Sequence, residues 1–369
     1  MKKVNFLILA FIVQSFVFGQ AATRKIQIAI LFDTSGSMEG LIEQAKSTIW
    51  SVVNTATEMS ADGQAPTLEI ALYDYGNSGI STTNWIRKHC NFITDLDSIS
   101  GHLFSLRTNG GEEYCAAVIQ TAMNELSWSS NPQDLKLIYI AGNEMFNQGP
   151  VDYKVILKDA TQRNIVVNTI YCGPYEQGVR ELWLDGVQLG QGSYFNIDSN
   201  QEVFFIETPY DNEIQKYNDS LNSTYLGYGE VGMYRAEKQK KEDLNAETKG
   251  QAASVERAVA KSNLNYKNNS WDLVDGVKAG QVNLAEMKEE DLPKEMQGMS
   301  KEEREKYILT KRSERQKFQN SINNLSVKRN EFIEIEKKKS IEAGKEKDLG
   351  EAMKASLKST AQKNGFTHK

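Results

Sequence analysis

Short, nearly continuous apolar runs recur through the first half of the chain, each followed by a polar turn. The first run, Ile26 to Phe32, is typical of a strand buried on both faces of a parallel sheet. Four further strands are predicted on similar grounds, at residues 68–75, 135–141, 165–171 and 194–198. Residues 84–92 alternate apolar and polar side chains, which is typical of an edge strand.

Amphipathic helices are predicted between these strands. Apolar residues fall at spacings of three and four from Ile42 to Ala56, the pattern of a helix with one buried face. Similar faces occur around residues 96–106, 119–126 and 179–183, and Pro150 is a favourable start for another helix. Strands that alternate with helices build a parallel sheet covered on both faces. We therefore predict an α/β fold with a doubly wound, mostly parallel sheet.

The amino-acid composition of the sequence changes at residue 208. Lys, Glu, Gln, Ala and Asn dominate from there on, and Pro209 and Pro293 are the only prolines, a composition that favours helix. We predict a helical linker region over 208–299. A long helix should follow, because Ser300 and Glu303 have the spacing of a capping box.

This long helix carries an a/d-like apolar seam, formed by Phe318, Ile322, Leu325 and Phe332. Arg329 occupies one position of the seam, which is short and interrupted. We therefore expect residues 300–369 to form an intramolecular, partly coiled-coil hairpin. The alternative is a coiled coil that makes the protein a homo-oligomer through its C-terminal helices.

The N-terminus has the pattern of a secretory signal peptide over residues 1–20. Two lysines precede an apolar stretch from Phe6 to Phe18, and Gly19 supplies a small residue for cleavage. The alternative is an N-terminal membrane anchor, although the stretch is short for a bilayer span. No second apolar run is long enough to cross a membrane. We expect an exported protein, periplasmic or secreted, with no stable membrane span after processing.

Composition limits the classes of partner. The chain has 369 residues, of which 40% are hydrophobic, so it can bury a sizeable core. Its net charge of -6 and the lack of a basic stripe with interleaved aromatic residues argue against nucleic-acid binding.

Three cysteines are present, Cys90, Cys115 and Cys172. In an exported protein one pair can be bridged, and we expect Cys90 with Cys115; three buried thiols are the alternative. Thiol catalysis needs a histidine partner, and none of the three histidines lies in a recognisable dyad. They are His89, His102 and His368.

The candidate chemistry lies in Asp33-Thr34-Ser35-Gly36-Ser37, directly after the first strand. The carboxyl edge of an open α/β sheet is where such folds bind ligands. Oxygen atoms at alternate residues suit a hard divalent cation, Mg²⁺ above all, with Mn²⁺ and Ca²⁺ as alternatives. The competing interpretation is that Asp33 and the serines only shape the turn and cap the next helix.

This stretch resembles the von Willebrand factor type A domain and its metal-ion-dependent adhesion site, whose signature is Asp-x-Ser-x-Ser. Asp33, Ser35 and Ser37 match it position for position. The resemblance covers residues 24–207 and implies that residues 84–92 form a short antiparallel edge strand.

The resemblance implies that two further loops complete the metal site. Thr108 and Glu113 are the candidates in the second loop, with Glu112 as a spare; the acidic pair could instead serve the N-terminus of the next helix. In the third loop the candidate ligand is Asn143, which stands where an aspartate is expected. Its amide offers an oxygen without a charge and can act through a water; the alternative is that Glu144 takes over as the ligand. Fewer fixed charges would leave the ion more electrophilic toward an anionic ligand.

The function implied is binding rather than catalysis: an exported module whose Mg²⁺ ion takes a carboxylate from a partner protein. Aromatic residues would form the ligand rim, at Tyr75, Tyr114, Phe146 and Tyr175. The competing hypotheses are a structural protein that acts through its C-terminal helices with a vestigial metal site, and an accessory module of an enzyme. The second half of the sequence contains no catalytic constellation, so we predict that the protein is not an enzyme.

Overall fold

The computed structural model describes residues 23–197, 206–248, 250–342 and 349–368. The expected signal peptide, residues 1–20, lies outside these ranges. Within them, no helix combines the length and the hydrophobicity that crossing a bilayer requires.

A six-stranded sheet forms the centre of the first half, and its strand order is β4-β3-β1-β5-β6-β7. Strands β2 and β8 form a separate antiparallel pair. The strands are β1 (Lys25–Asp33), β2 (Met59–Ser60), β3 (Thr67–Tyr75), β4 (Ile86–Ile93), β5 (Leu135–Gly142), β6 (Val166–Cys172), β7 (Gln191–Ile197) and β8 (Thr367–His368). All neighbours in the large sheet pair in parallel except β4, which runs antiparallel to β3 at the edge. The predicted mostly parallel sheet is therefore confirmed.

Twelve α-helices lie within the described residues. They are α1 (Ile42–Thr57), α2 (Leu96–Ser105), α3 (Cys115–Glu125), α4 (Tyr153–Gln162), α5 (Tyr175–Arg180), α6 (Trp183–Gly190), α7 (Asp211–Asn222), α8 (Gly229–Thr248), α9 (Gln251–Ser262), α10 (Leu273–Lys278), α11 (Lys301–Glu342) and α12 (Leu349–Lys363). The first six belong to the α/β half, and the next five form a helical region, as the composition predicted.

Strand β1 occupies the middle of the sheet, and its side chains serve both faces. Ile28 and Ile30 pack with residues of α1, α2 and α12. Ala29 and Leu31 point to the opposite face and pack with residues of α3 and α4. This two-sided burial explains the continuous apolar run.

The apolar seam of α11 packs inside the helical region. Ile322 and Leu325 form a core cluster with Ile214 of α7 and Val255 of α9, and Phe318 packs against it. Arg329, the polar member of the seam, binds the buried carboxylate of Asp211 with an N–O distance of 2.8 Å. The charged residue of the seam thus forms an ion pair that joins α11 to α7.

The end of the chain corrects the hairpin expected over 300–369. Helix α12 packs on α1 and β7 rather than along α11, and three of its side chains are buried in the core of the α/β half, namely Met353, Leu357 and Ala361. The Oγ atoms of Ser356 on α12 and Ser193 on β7 lie 2.7 Å apart. A seam pattern specifies that a helix has an apolar face, but not which surface receives it.

The cysteine pairing is also corrected, because the three described thiols are free. Cys90 lies on the edge strand β4 and packs toward the α1 face of the sheet. Cys115 begins α3 and is buried on the opposite face. The sheet separates the two sulfur atoms, so no bridge can form between them.

Buried ion pairs join the helical region to the α/β half. The guanidinium of Arg257 in α9 binds Asp97 in α2 at 3.0 Å and also Asp243 in α8. The hydroxyl of Tyr266 donates to Asp97 at 2.7 Å. Because removing one member of a buried network leaves another charge without its partner, these contacts fix how the two halves pack.

We predict that Leu357→Ala destabilises the whole chain by about 2–5 kcal/mol, because Leu357 is 1% exposed in the core shared by α12 and the sheet. Leu309→Ala is the matched control on α11, where the side chain is 63% exposed; its effect should stay within about 0.5 kcal/mol. Chemical denaturation of both variants measures the difference. Equal midpoints would mean that α12 does not belong to this core.

Candidate metal centre

The Asp33 carboxylate is the centre of the candidate site. Asp33 is the last residue of β1 and is fully buried. Its Oδ1 accepts a hydrogen bond from the Ser35 N–H at 2.7 Å, whereas Oδ2 is buried without a hydrogen-bond partner. A buried, unpartnered carboxylate oxygen in a native fold needs a physical explanation, and a bound cation is one.

Two hydroxyl groups lie beside this carboxylate. The Oγ atoms of Ser35 and Ser37 are 2.8 Å apart. Ser35 is buried and Ser37 is exposed, so the pair leads from the interior to the surface of the loop. The loop therefore offers two hydroxyl oxygens next to the buried carboxylate.

The loop before α3 contributes Glu113, which is buried near Asp33. Both carboxylate side chains pack against Gly76: a Cβ atom added there would lie 2.8 Å from Glu113 Cγ and 3.0 Å from Asp33 Oδ1. Gly76 also has φ = +74°, so this position favours glycine for two reasons. Glu112, the spare, is exposed and accepts a hydrogen bond from the Tyr114 hydroxyl.

Thr108, the other candidate in this loop, lies on a different surface. It lines a cavity of about 860 Å³ between α2 and α8, together with Ile42 and Arg107. The structure thus brings Glu113 to Asp33 and turns Thr108 toward the helical region.

Asn143 follows β5 and is bound to Ser37 by both ends of its amide. Its Oδ1 accepts from Ser37 Oγ at 2.8 Å, and its Nδ2 donates to the Ser37 carbonyl at 3.1 Å. The amide therefore positions Ser37 in this structure. Glu144, the alternative ligand, is half-buried and close enough to raise the pKa of Asp33 and Glu113 by its charge.

Thr34, which was not among the predicted site residues, joins the loop after β1 to the end of β3 and to the loop before α3. Its N–H donates to the Tyr75 carbonyl at 2.9 Å, and its hydroxyl donates to Asp74 at 3.1 Å. Its carbonyl accepts from the Asn77 side chain at 3.2 Å and from the Asn109 N–H at 2.9 Å. The signal for this arrangement in the sequence was the Gly76-Asn77 pair after β3, because the side chain of an asparagine in a turn often hydrogen-bonds to backbone groups.

Asp74 supports Thr34 from β3. Its buried carboxylate binds Arg87 at 3.0 Å through Nε, and His89 Nε2 at 3.0 Å. Burial alone would raise the pKa of Asp74, but hydrogen bonds and charges from His89 and Arg87 hold it below its ordinary value. Asp74 therefore stays ionised and can accept the Thr34 hydrogen bond.

The electrostatics of the centre favour a cation. Burial raises the pKa of Asp33 to about 7, the Ser35 hydrogen bonds partly oppose this, and the charges of Glu113 and Glu144 add to it. Burial also raises the pKa of Glu113, with a contribution from Glu144. These carboxylates destabilise one another when ionised, and a bound cation would reverse that effect.

The donor set fits a hard divalent cation. Among the described residues no three His, Cys, Asp or Glu side chains are grouped to hold a metal, so the candidate ligands combine two carboxylates with hydroxyls. They are Asp33, Glu113, Ser35 and Ser37. Oxygen ligands of this kind match Mg²⁺ chemistry, in which waters or a partner's oxygen complete the octahedron.

The rim of aromatic residues needs correction at two positions. Tyr75 is fully buried, and its hydroxyl donates to the Ala141 carbonyl at 3.1 Å. Phe146 is fully buried against Trp183, with ring centroids 5.1 Å apart. Both are core residues. Tyr175 is 48% exposed and Tyr114 is partly exposed, so these two remain accessible.

We predict that the metal-free protein loses stability, relative to Asp33→Asn, as the pH rises. The pKa of Asp33 is 3.8 in a model peptide and about 7 in the fold, so the folded state binds the extra proton between these values. Ionisation above pH 7 costs the fold up to roughly 4 kcal/mol, and the neutral amide avoids this cost.

Thermal unfolding in EDTA across this pH range measures the difference between the two proteins. The difference in stability between the wild type and Asp33→Asn should grow from about pH 4 and become constant above pH 7. Asp219→Asn, at an exposed position on α7, is the control and should track the wild type. A pH-independent gap would contradict the assignment.

No protein-family model matches this chain, and no curated protein is similar to it in sequence. Solved structures match about half of it. BatB from Bacteroides thetaiotaomicron is 14% identical over 47% of this chain and 90% of its own, with a TM-score of 0.37. The SpRpn10 VWA domain is 15% identical over 48% and 90%, with a TM-score of 0.36. The mussel byssus protein PTMP1, with a zinc-occupied MIDAS motif, is 10% identical over 48% and 43%, with a TM-score of 0.36. At these values the likenesses carry no information on function.

Proposed function

We propose that this protein is a metal-dependent protein-binding module. A divalent cation, Mg²⁺ in the first instance, would be held by the Asp33 and Glu113 carboxylates and the hydroxyls of Ser35 and Ser37. The observation that carries the proposal is the buried Asp33 Oδ2, which has no hydrogen-bond partner, in a site that also contains the Ser35 and Ser37 hydroxyls and the Glu113 carboxylate.

A cation in this position would retain an accessible side. Gly36 and Ser37 are exposed, and Asn143 is half-buried at the same surface. An Asp, Glu or C-terminal carboxylate of a partner protein could therefore reach the ion and take one coordination position. The reaction is ligand exchange at the metal, with no bond broken in the partner, so we propose no enzymatic activity.

The neutral amide of Asn143 leaves the ion better able to attract an external anion than an aspartate at this position would. Two carboxylates neutralise a divalent cation, and the third loop offers the neutral amide of Asn143. A further carboxylate from the protein would compete with the partner's carboxylate for positive charge. Asn143 thus favours an external anionic ligand over a fully satisfied internal site.

We place this activity outside the cytoplasm, in the periplasm or in the secreted fraction, on the basis of the N-terminal sequence pattern. The helical region would act as a scaffold for the module. The molar mass of the protein in solution measures whether this region also joins copies of the chain.

Mg²⁺ should stabilise the wild-type protein against heat and should not stabilise Asp33→Ala. Binding to the folded state alone adds about 2.7 kcal/mol when Mg²⁺ is present at 100 times its Kd. A titration from EDTA into Mg²⁺, followed by thermal unfolding, measures this, with Asp219→Ala as the exposed control. Equal stabilisation of both variants would place the ion elsewhere; no stabilisation of the wild type would favour the structural protein with a vestigial site.

Asn143→Asp should bind the metal more tightly, by roughly tenfold, because it adds a charge worth on the order of 1.4 kcal/mol. The same variant should bind a partner carboxylate more weakly, since the ion is better neutralised. Calorimetric titration with Mg²⁺ tests the first expectation. Asn143→Ala separates the charge from the lost Ser37 contact: it should weaken metal binding, and a gain equal to that of Asn143→Asp would refute the charge argument.

A further inference from the structure

A second concave surface lies beside the metal centre. It is a cleft of about 820 Å³ formed by the connection between β3 and β4, the start of α3, and Gly149 with Pro150. Its polar and aromatic walls are formed by Ser78, Ser81, Thr82, Asn84, Trp85 and Tyr114. The volume falls in the range of sites that accept small ligands or single side chains.

The lining of this cleft carries no charged side chain among the described residues, although 25% of the chain is charged. It offers hydroxyl and amide groups for hydrogen bonds and two rings for packing. A charged group entering it would lose water without gaining a counter-charge, which is unfavourable. The cleft is therefore suited to an uncharged group.

The aromatic wall is built with an unusual backbone. Asn84 and Trp85 have φ values of 63° and 49°, in the left-handed region, where a bulky residue is rare. Hydrogen bonds hold this conformation: the Trp85 carbonyl accepts from the Gly76 N–H, and the Trp85 N–H donates to the Thr82 carbonyl, both at 3.1 Å. A conformation maintained against a cost of about 1–3 kcal/mol points to a role for the displayed ring.

Trp85 and Tyr114 form one continuous surface. Their ring centroids are 5.6 Å apart in an edge-to-face arrangement at 68°. Gly149 lies against the Tyr114 ring so closely that a Cβ atom would be 2.6 Å from Tyr114 Cγ. The β5–α4 connection thus closes the cleft from the other side.

The cleft and the metal centre share their supporting residues. Gly76 packs against Asp33 and Glu113, and its N–H holds Trp85. Tyr114 directly follows Glu113, so their Cα atoms are about 3.8 Å apart. A peptide that placed a carboxylate on the ion would bring residues two or three positions away into this cleft, at about 3.3 Å per residue.

We propose that this cleft selects the partner by receiving an uncharged side chain, preferably aromatic, near the carboxylate that binds the ion. This inference rests on the proposed metal-dependent binding of a carboxylate. The partner sequence it describes contains an Asp or Glu with an uncharged aromatic residue two or three positions away and no Lys or Glu there.

A series of glycine-based peptides, acetylated at the N-terminus and amidated at the C-terminus, tests this inference on the full chain. Each peptide carries one Asp and, two or three positions to either side, one of Trp, Tyr, Asn, Lys or Glu. Binding is measured by fluorescence anisotropy in Mg²⁺ and in EDTA. We expect Mg²⁺-dependent binding in which the Trp and Tyr peptides are about tenfold tighter than the Lys and Glu peptides.

Two variants assign the preference to the cleft. Trp85→Ala should remove the tenfold advantage of the Trp and Tyr peptides without changing the stabilisation by Mg²⁺. Ser81→Lys, at an exposed position of the lining, should strengthen binding of the Glu peptide by about fivefold or more. Tyr234→Ala, a 69% exposed ring on α8, is the matched control and should change nothing.

The two hypotheses fail in different ways. Mg²⁺-dependent binding that is equal for all peptides, or unchanged in both cleft variants, would overturn the role of the cleft and leave the metal-dependent module intact. Binding of no peptide in Mg²⁺ would overturn both. If Trp85→Ala does not fold, Ser81→Lys alone decides the outcome.

Discussion

The burial of one carboxylate is the constraint on which this site depends. Strand β1 is enclosed by β3 and β5 and covered on both faces, so its last residue, Asp33, enters the carboxyl edge with no exposure to water. One of its oxygens accepts a backbone hydrogen bond and the other has no partner. An isolated ion would be far more costly there than a protonated group or a metal complex. The neighbouring loops are arranged around this charge, and a cation makes that arrangement favourable.

Backbone contacts, more than ionic ones, set the relative positions of these loops. The main-chain and hydroxyl groups of Thr34 bind β3, the Asn77 side chain and the Asn109 N–H. Gly76 then links the carboxylates to Trp85. Because these bonds join different segments, they fix the position of the loop after β1 relative to the connection between β3 and β4. The candidate site and the cleft beside it therefore form one structural unit.

Local patterns were sufficient for the sheet, the order of its elements and the position of Asp33, Ser35 and Ser37, because strand burial and loop position follow from residue periodicity. Contacts between segments that are distant in sequence could not be predicted from these local patterns. Glu113 rather than Glu112 faces Asp33 because Gly76, far away in sequence, packs there. Tyr75 closes a strand buried on both faces, which removed it from the expected rim. The apolar face of α12 was visible, whereas its docking surface on α1 was not.

The closure of the chain on itself has a consequence for orientation. The Arg24 guanidinium donates to the Asn364 carbonyl at 2.8 Å and lies over the Phe366 ring, at the edge of the sheet where β1 begins. Asp33 is eight residues further along that strand, about 26 Å away at 3.3 Å per residue. The residues after α12 therefore close the fold at the pole of the sheet opposite Asp33, away from the loops that form the candidate site.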